Sequence, residues 1–345
     1  MKNIKMFLAR LLYYTGILFF LNRLLGKNHT LILSFHRITL NPDQAKNTPT
    51  LPYLTAANFE KLIAYLKSKH CIQGLEDWIS GGRKRAGVIL TFDDGWQDNY
   101  LYAFPVLKKH QVPATIFVAV NFIGNAKEFW QVKLFRRLQQ LSLTEVQSWP
   151  YSELKRIVVA ILKEGLSPES YQPLVRYLKS RPKREIDSLL EPLFSRDSQK
   201  PEPALLNWDE IREMHRAGID FGSHTLNHII IPMENEETIR EELHSSQQLL
   251  ERHLHKPVRY FAYPSGEYDQ RAKELVRQAG YLAAFTTKEE LNTSFTNPFE
   301  LRRIEMEENK LTDSKKEFCR LLFELETCWL YLKIKNRLKP QLSSY

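Results

Sequence analysis

Cysteine is scarce in this chain and poorly placed for a structural role. Its three cysteines, Cys71, Cys319 and Cys328, are odd in number, scattered and outside any Cys-x-x-Cys pair. That pattern excludes a disulfide framework and a cysteine-built zinc cluster, and leaves three free thiols with the redox compartment open. Long apolar runs are lacking too. The uncharged N-terminal run, residues 11–21, falls short of the ~20 residues a membrane-spanning helix needs. Internal repeats and low-complexity tracts are absent, which sets aside solenoids and disordered linkers. No histidine follows His255.

What is present suffices for a sizeable fold. A chain of 345 residues, 43% of them hydrophobic, can bury the core of one large α/β domain or two smaller ones. Lysine and arginine number 49 against 40 acidic residues, a net charge of +9. The excess suits an anionic membrane surface or polymer, although a basic soluble surface would carry the same charge. No nucleic-acid recognition motif accompanies it, so no nucleic-acid partner is expected.

The N-terminus admits three readings. Lys2, Lys5 and Arg10 precede the uncharged run, and Arg23 follows it. Its length fits a signal-peptide core, but no small-x-small cleavage site comes next. Residues 4–25 fit better as a basic, aromatic-rich helix lying in a membrane interface. A terminal helix packed on the protein's own body is the plain alternative. Residues 1–29 are thus expected to be a membrane-associating segment.

From residue 30 the pattern alternates. Thr30-Leu-Ile-Leu-Ser-Phe35 reads as a strand ending at His36, and residues 87–92 and 114–120 read as buried strands with helices between them. Thr55 is placed to cap the helix through Phe59, Leu62 and Leu66. The rhythm breaks at about 125–204, which is rich in Leu, Lys, Arg and Glu. This stretch reads as a helical insertion closed by Pro201 and Pro203. Strand and helix signals resume at Trp208 and continue to about residue 304. Residues 311–345 read as a C-terminal amphipathic helix. Parallel βα units are the expected outcome for residues 30–310.

Two motifs carry chemistry. His224-Thr-Leu-Asn-His228 places two imidazoles four residues apart, a spacing that puts them on one face of a helical turn. Thr91-Phe-Asp93-Asp94-Gly95 sets two acids where a buried strand opens into a loop. Each has an ordinary reading alone: solvated histidines for the first, a turn for the second. Together they offer three ligands and an open position, the arrangement of a hydrolytic metal site.

In order and context these motifs resemble the polysaccharide deacetylase family, the NodB homology domain of carbohydrate esterase family 4, over roughly residues 31–305. The resemblance implies a distorted (β/α) barrel of seven or eight strands. It implies that Asp94, His224 and His228 bind one divalent metal ion and that Asp93 is the general base. Zinc is the default ion for two histidines and a carboxylate, with cobalt, nickel or iron as alternatives. Phe261-Ala-Tyr-Pro-Ser-Gly266 resembles a third motif that forms a groove wall, with Tyr263, Pro264 and Gly266 as substrate contacts and the Tyr263 N–H as an oxyanion donor. Many members carry an arginine where Ala262 stands, pairing with the base. Arg303 is the candidate replacement and Arg302 the fallback, an ordinary salt bridge being the plain role for either. Residues 280–285 resemble a fourth motif, expected to line a pocket for the acetyl methyl group. Trp96 and Tyr268 are candidate platforms for sugar rings, or plain rim packing.

The missing late histidine is the main departure, because the family usually draws its general acid from one. His36 is the candidate acid, within Phe35-His36-Arg37, which resembles the early acid of poly-N-acetylglucosamine deacetylases. A structural or surface histidine is the ordinary alternative. The implied reaction removes acetyl groups from N-acetylated amino sugars of a polysaccharide or its lipid-linked precursor, at a bacterial cell envelope. A deacetylase of small linear amides, or a non-catalytic carbohydrate- or membrane-binding relative, is the rival reading.

Overall fold

The apolar run Thr30–Phe35 is buried along its whole length and forms β1. It is the second-to-last strand of a seven-stranded parallel sheet, seen in a computed structural model that describes residues 2–26, 29–45, 51–147, 149, 151–195 and 204–338. Two short strands, β2 (Arg37–Thr39) and β3 (Tyr53–Thr55), pair with each other beside it. The remaining strands are β4 (Gly87–Phe92), β5 (Thr115–Val118), β6 (Asp220–Ser223), β7 (Tyr260–Ala262), β8 (Ala283–Phe285) and β9 (Ile304–Glu305). Their order in the sheet is β8-β7-β6-β5-β4-β1-β9. Helices cover the sheet outside and side chains fill it inside, so these strands read as continuous apolar runs rather than as alternating ones.

The two edges of the curled sheet meet at one segment. Leu301 donates to Ala284 O (2.9 Å) and accepts from Thr286 N (2.8 Å) beside β8. Four residues on, Glu305 pairs with Ser34 of β1. Residues 301–305 therefore close the sheet into a distorted (β/α) barrel, and Arg303 lies in the closing segment.

Among the described residues, the stretch expected as a helical insertion holds five helices, Trp130–Leu138, Leu143–Gln147, Ser152–Glu164, Pro168–Lys179 and Lys183–Phe194. They bury a core of their own around Leu134, Leu154, Val158, Leu174 and Leu190. Pro201 and Pro203, expected to close it, lie outside the described residues. The terminal segments are each broken rather than continuous. The N-terminal one forms Lys2–Tyr14 and Ile17–Gly26, split where Gly16 takes a left-handed φ of 74°. The C-terminal one forms Arg320–Glu326 and Trp329–Leu338. Thr55 precedes helix Ala56–Lys69 but does not cap it, because its amide and hydroxyl both donate to the Glu308 carboxylate.

Candidate active site

Strand register brings the first pair of site residues together. Phe35 and Phe92 are paired at the ends of β1 and β4. The next residues, His36 and Asp93, consequently emerge side by side at the C-terminal rim, where barrels of this class keep their chemistry. The Asp93 amide donates to Phe35 O at 2.9 Å. Its carboxylate is held by both arms of Arg303, Nη1 to Oδ1 at 2.6 Å and Nη2 to Oδ2 at 2.7 Å. Arg303 Nε donates to Thr286 O at 3.0 Å, and the side chain is fully buried. Arg302 turns away to Glu290, 2.5 Å distant. Burial pushes the Asp93 carboxyl up, but the charges of Arg303 and His224 and the hydrogen bonds from Arg303 hold it below the usual carboxylate range.

Removing that guanidinium would strand a buried carboxylate. Arg303→Met should cost about 3–5 kcal/mol of stability, the usual price of breaking a buried pair. The native pair contributes fully above the ordinary carboxylate pKa and loses its contribution as pH falls through the depressed folded value. In the variant the unpaired carboxyl titrates high, so acid relieves its penalty. Denaturant melts of both proteins at pH 7 and pH 4 check this. A difference at pH 7 below about 1 kcal/mol, as expected of an exposed pair, would refute it.

Asp94 and Gly95 both take left-handed backbone, with φ of 73° and 80°. A Cβ at Gly95 would lie 2.8 Å from Val118 Cγ1, so only glycine fits that turn. The turn brings Trp96 back under Asp94, where its Nε1 donates to Oδ2 at 2.9 Å. The other oxygen, Oδ1, faces His228 Nε2 at 3.3 Å and His224 Nε2 at 3.6 Å.

The two histidines are not on a helix. They lie in a loop after β6, with left-handed φ at Thr225 (66°) and His228 (55°). The expected helical turn gives way because the buried Glu242 carboxylate takes up the loop's donors, Leu226 N (2.9 Å), Asn227 N (2.8 Å) and Asn227 Nδ2 (2.7 Å). Thr225 Oγ1 accepts from Ile229 N at 3.3 Å. His224 Nδ1 lies 2.7 Å from Ala262 O. Burial pulls the His224 pKa down to about 4, so the ring is neutral, with Nδ1–H donating and the Nε2 lone pair turned inward.

Asp94, His224 and His228 fit a metal ion. Their donor atoms all lie within 4.8 Å of one another. Three atoms placed ~2.0–2.1 Å from one ion at tetrahedral angles are ~3.4 Å apart, close to the spacings from Oδ1. Trp96 occupies one Asp94 oxygen and leaves the nearer one to the ion.

The donors open on a cavity of about 540 Å³. His36 lines it, with Nε2 4.0 Å from Asp93 Oδ2 and Nδ1 3.7 Å from Glu305 Oε1. Phe129, Val132, Val175 and Lys179 of the insertion form another wall. Lys179 Nζ donates to Ser265 Oγ at 2.7 Å. Burial lowers the Lys179 pKa, while Asp94 and Glu267 pull it back up.

Several expected substrate contacts lie elsewhere. Trp96 is buried beneath the Arg37 guanidinium, 4.4 Å from its ring, and presents no face to a sugar. The Tyr263 N–H is committed to Phe285 O at 3.0 Å within the sheet, so it is not open to an oxyanion. Tyr268 stacks on the Tyr263 ring at 5.1 Å instead of facing the cavity. Pro264 is buried and Gly266 packs on Thr287, so their turn presents Ser265 to the cavity. Within residues 280–285, Ala283–Phe285 form the buried strand β8, a core position compatible with a pocket wall. Sequence reasoning did not assign Trp96 as the partner of Asp94, or single out Glu242, Glu305 and Lys179. Only Glu242 carried a signal, an acid set among the apolar positions Ile239, Leu243 and Leu250 of helix Glu236–Leu254.

A parallel barrel with a buried acid pair, two histidines and a metal-sized gap at its C-terminal rim defines a class of hydrolytic proteins. The profile of the polysaccharide deacetylase family matches residues 80–284, and the chain belongs to that family. Membership places it among hydrolases of carbon–nitrogen bonds other than peptide bonds. It is 26% identical over 226 residues to the poly-beta-1,6-N-acetyl-D-glucosamine N-deacetylase of Staphylococcus epidermidis, covering 57% of this chain and 72% of that one. It is 22% identical over 201 residues to the Bacillus subtilis protein YxkH, described as a polysaccharide deacetylase, covering 58% of this chain but only 44% of that one. Among solved structures, Streptococcus pyogenes deacetylase PplD aligns with a TM-score of 0.54 at 19% identity, over 82% of this chain and 94% of that chain. IcaB from Ammonifex degensii aligns at 0.51 and 19% identity, over 81% and 92%. These two likenesses show the fold.

Proposed function

We propose that the chain is a metal-dependent N-deacetylase of amino sugars in a polysaccharide or its lipid-linked precursor. The observation that carries this reading is the division between adjacent acids. Arg303 grips both oxygens of Asp93, while Trp96 takes one oxygen of Asp94 and leaves the other beside two imidazole Nε2 atoms. The staphylococcal relative, a poly-beta-1,6-N-acetyl-D-glucosamine N-deacetylase by name, supports the substrate class.

Asp94, His224 and His228 would hold the ion, zinc by default. A bound divalent ion polarises the acetamide carbonyl and acidifies water at the site. Asp93, kept ionised by Arg303, accepts the proton of the attacking water. His36 delivers a proton to the departing nitrogen, and acetate and a free amine result. Acetate release from a panel of N-acetylated glycans, with and without chelator, tests the reading. Chelator-insensitive release, or none from any glycan, would overturn it.

We also assign the protein to the membrane surface of a bacterial envelope. Helix Lys2–Tyr14 turns Ala9 onto Leu322 and Leu325, yet exposes Ile4, Phe7, Leu8 and Leu11 at helical spacing. Tyr14, Ile17, Phe19 and Phe20 continue the exposed patch, and Arg10 adds exposed positive charge. No helix among the described residues is long and apolar enough to cross a membrane, so the patch fits lying on one. Phe7→Glu with Leu11→Glu should abolish co-sedimentation with anionic vesicles while turnover of a soluble substrate persists. Truncation is the poorer test, because Lys5 pairs with the buried Glu326. A wild-type protein that never binds such vesicles would sink the assignment.

A further inference from the structure

The helical insertion is attached to the barrel partly at the active site. Lys183 N donates to Glu234 Oε1 at 2.6 Å, and Lys179 Nζ reaches Ser265 Oγ. Along helix Pro168–Lys179, Gln172, Val175 and Lys179 recur at three and four residues and all line the cavity. The insertion thus supplies a wall to the same cavity that holds the metal ligands.

The charges in that cavity are nearly all matched. Asp93 is paired with Arg303. Glu289 takes Lys310 at 3.0 Å and Lys335 at 2.8 Å. Glu305 lies 3.7 Å from His36 and 3.9 Å from Lys310. Asp94 faces the two histidines and the position of a divalent cation. Among the described residues no carboxylate lies within ion-pair distance of Lys179. Its hydrogen-bond partner is the neutral Ser265 hydroxyl, and Asp94 and Glu267 act on it only from beyond ion-pair distance, so an ammonium held in this wall gains from a ligand that brings a close counter-ion. On the same wall the Gln131 amide oxygen is buried without a hydrogen-bond partner, an acceptor suited to a sugar hydroxyl.

We propose that Lys179 reads an anionic group borne by the substrate close to its N-acetyl group, so that the cavity selects phosphorylated or carboxylated amino sugars over neutral ones. The proposal rests on the deacetylase reading for the identity of the reacting group. The plain alternative is that the Lys179–Ser265 hydrogen bond is only a strut docking the insertion.

Calorimetric titration of the zinc-loaded full-length protein separates the two. The probes are methyl N-acetylglucosaminide, N-acetylglucosamine 1-phosphate and N-acetylglucosaminuronate. At least one charged probe should bind about tenfold more tightly than the neutral one, the scale of a charge-assisted hydrogen bond. Whichever charged probe is preferred names the source of the anion. Lys179→Gln, which keeps a donor for Ser265, should erase the preference, and Lys179→Arg should restore it. In the wild type, raising salt from about 50 to 500 mM should weaken the charged probe selectively. Equal binding of all three probes overturns the proposal. So does a preference that survives Lys179→Gln, since the anion would then sit on the metal. Acetate assays on the same probes keep the two readings apart. A charged probe bound through Lys179 with no acetate released from it or from any glycan of the panel would sink the deacetylase reading alone, whereas release with no charge preference would sink this one alone.

Discussion

Asp94→Ala, His224→Ala or His228→Ala should each abolish both bound metal and turnover. A three-ligand site has no spare donor, and two of the three ligands are held by supports of their own. Trp96 holds one Asp94 oxygen, and Ala262 O fixes the His224 tautomer. Removing a ligand leaves those supports aimed at a gap. Elemental analysis after dialysis is the direct readout, and full occupancy in any one variant would remove that residue from the ligand set. Asp93→Asn makes the useful contrast. It lies outside the cage, so metal should stay while turnover falls. Arg303 would still reach the amide oxygen, which limits the structural damage. Near-normal turnover in Asp93→Asn would move the general base elsewhere.

The barrel was legible because its strands are buried on both faces. Runs such as Ile32-Leu-Ser-Phe35 and Val88-Ile-Leu-Thr-Phe92 have few other places to go. The acid pair was legible for the same reason, since it follows such a run, whereas the histidine pair follows the short, less apolar strand Asp220–Ser223 and both pairs fall on the catalytic rim. Local backbone was less legible. A four-residue histidine spacing suits a helical turn, but the chain spends Glu242 and two left-handed residues to build a loop instead. Asp94, Thr225, His228 and Ser265 are four non-glycine residues with left-handed φ, all in the segments that build the site. Such strain costs of order 1–3 kcal/mol per residue and persists where surrounding contacts over-determine it. No propensity scale anticipates that.

Long-range contacts were the other limit. Arg303 could be proposed because the vacancy at Ala262 demanded a cation, and the closing segment delivers it to Asp93. Lys179 left no comparable trace. On sequence it is one more lysine near the end of an amphipathic helix, and only the docking of the insertion turns it inward. Trp96 looked like a sugar platform because a tryptophan near a loop end often is one. The tight turn at Asp94-Gly95 folds it beneath the carboxylate instead.

His36→Gln should lower turnover by roughly 10²–10⁴-fold with metal content and fold intact, the range for losing a general acid. The geometry narrows the choice of acid. Three histidines line the cavity, and two of them face Asp94 Oδ1 through Nε2. His36 does not face Asp94. It stands 4.0 Å from Asp93 Oδ2 on one side and 3.7 Å from Glu305 Oε1 on the other, between the proposed base and a second carboxylate. An amine leaves a tetrahedral carbon poorly unless protonated, so the alkaline limb of the pH–rate profile should weaken in the variant. The defect should shrink for an activated anilide, whose nitrogen needs less help to depart. Loss of metal from His36→Gln would make His36 a ligand or a support of one. Unchanged turnover and an unchanged alkaline limb would make it a rim histidine held by Glu305, with the proton coming from elsewhere.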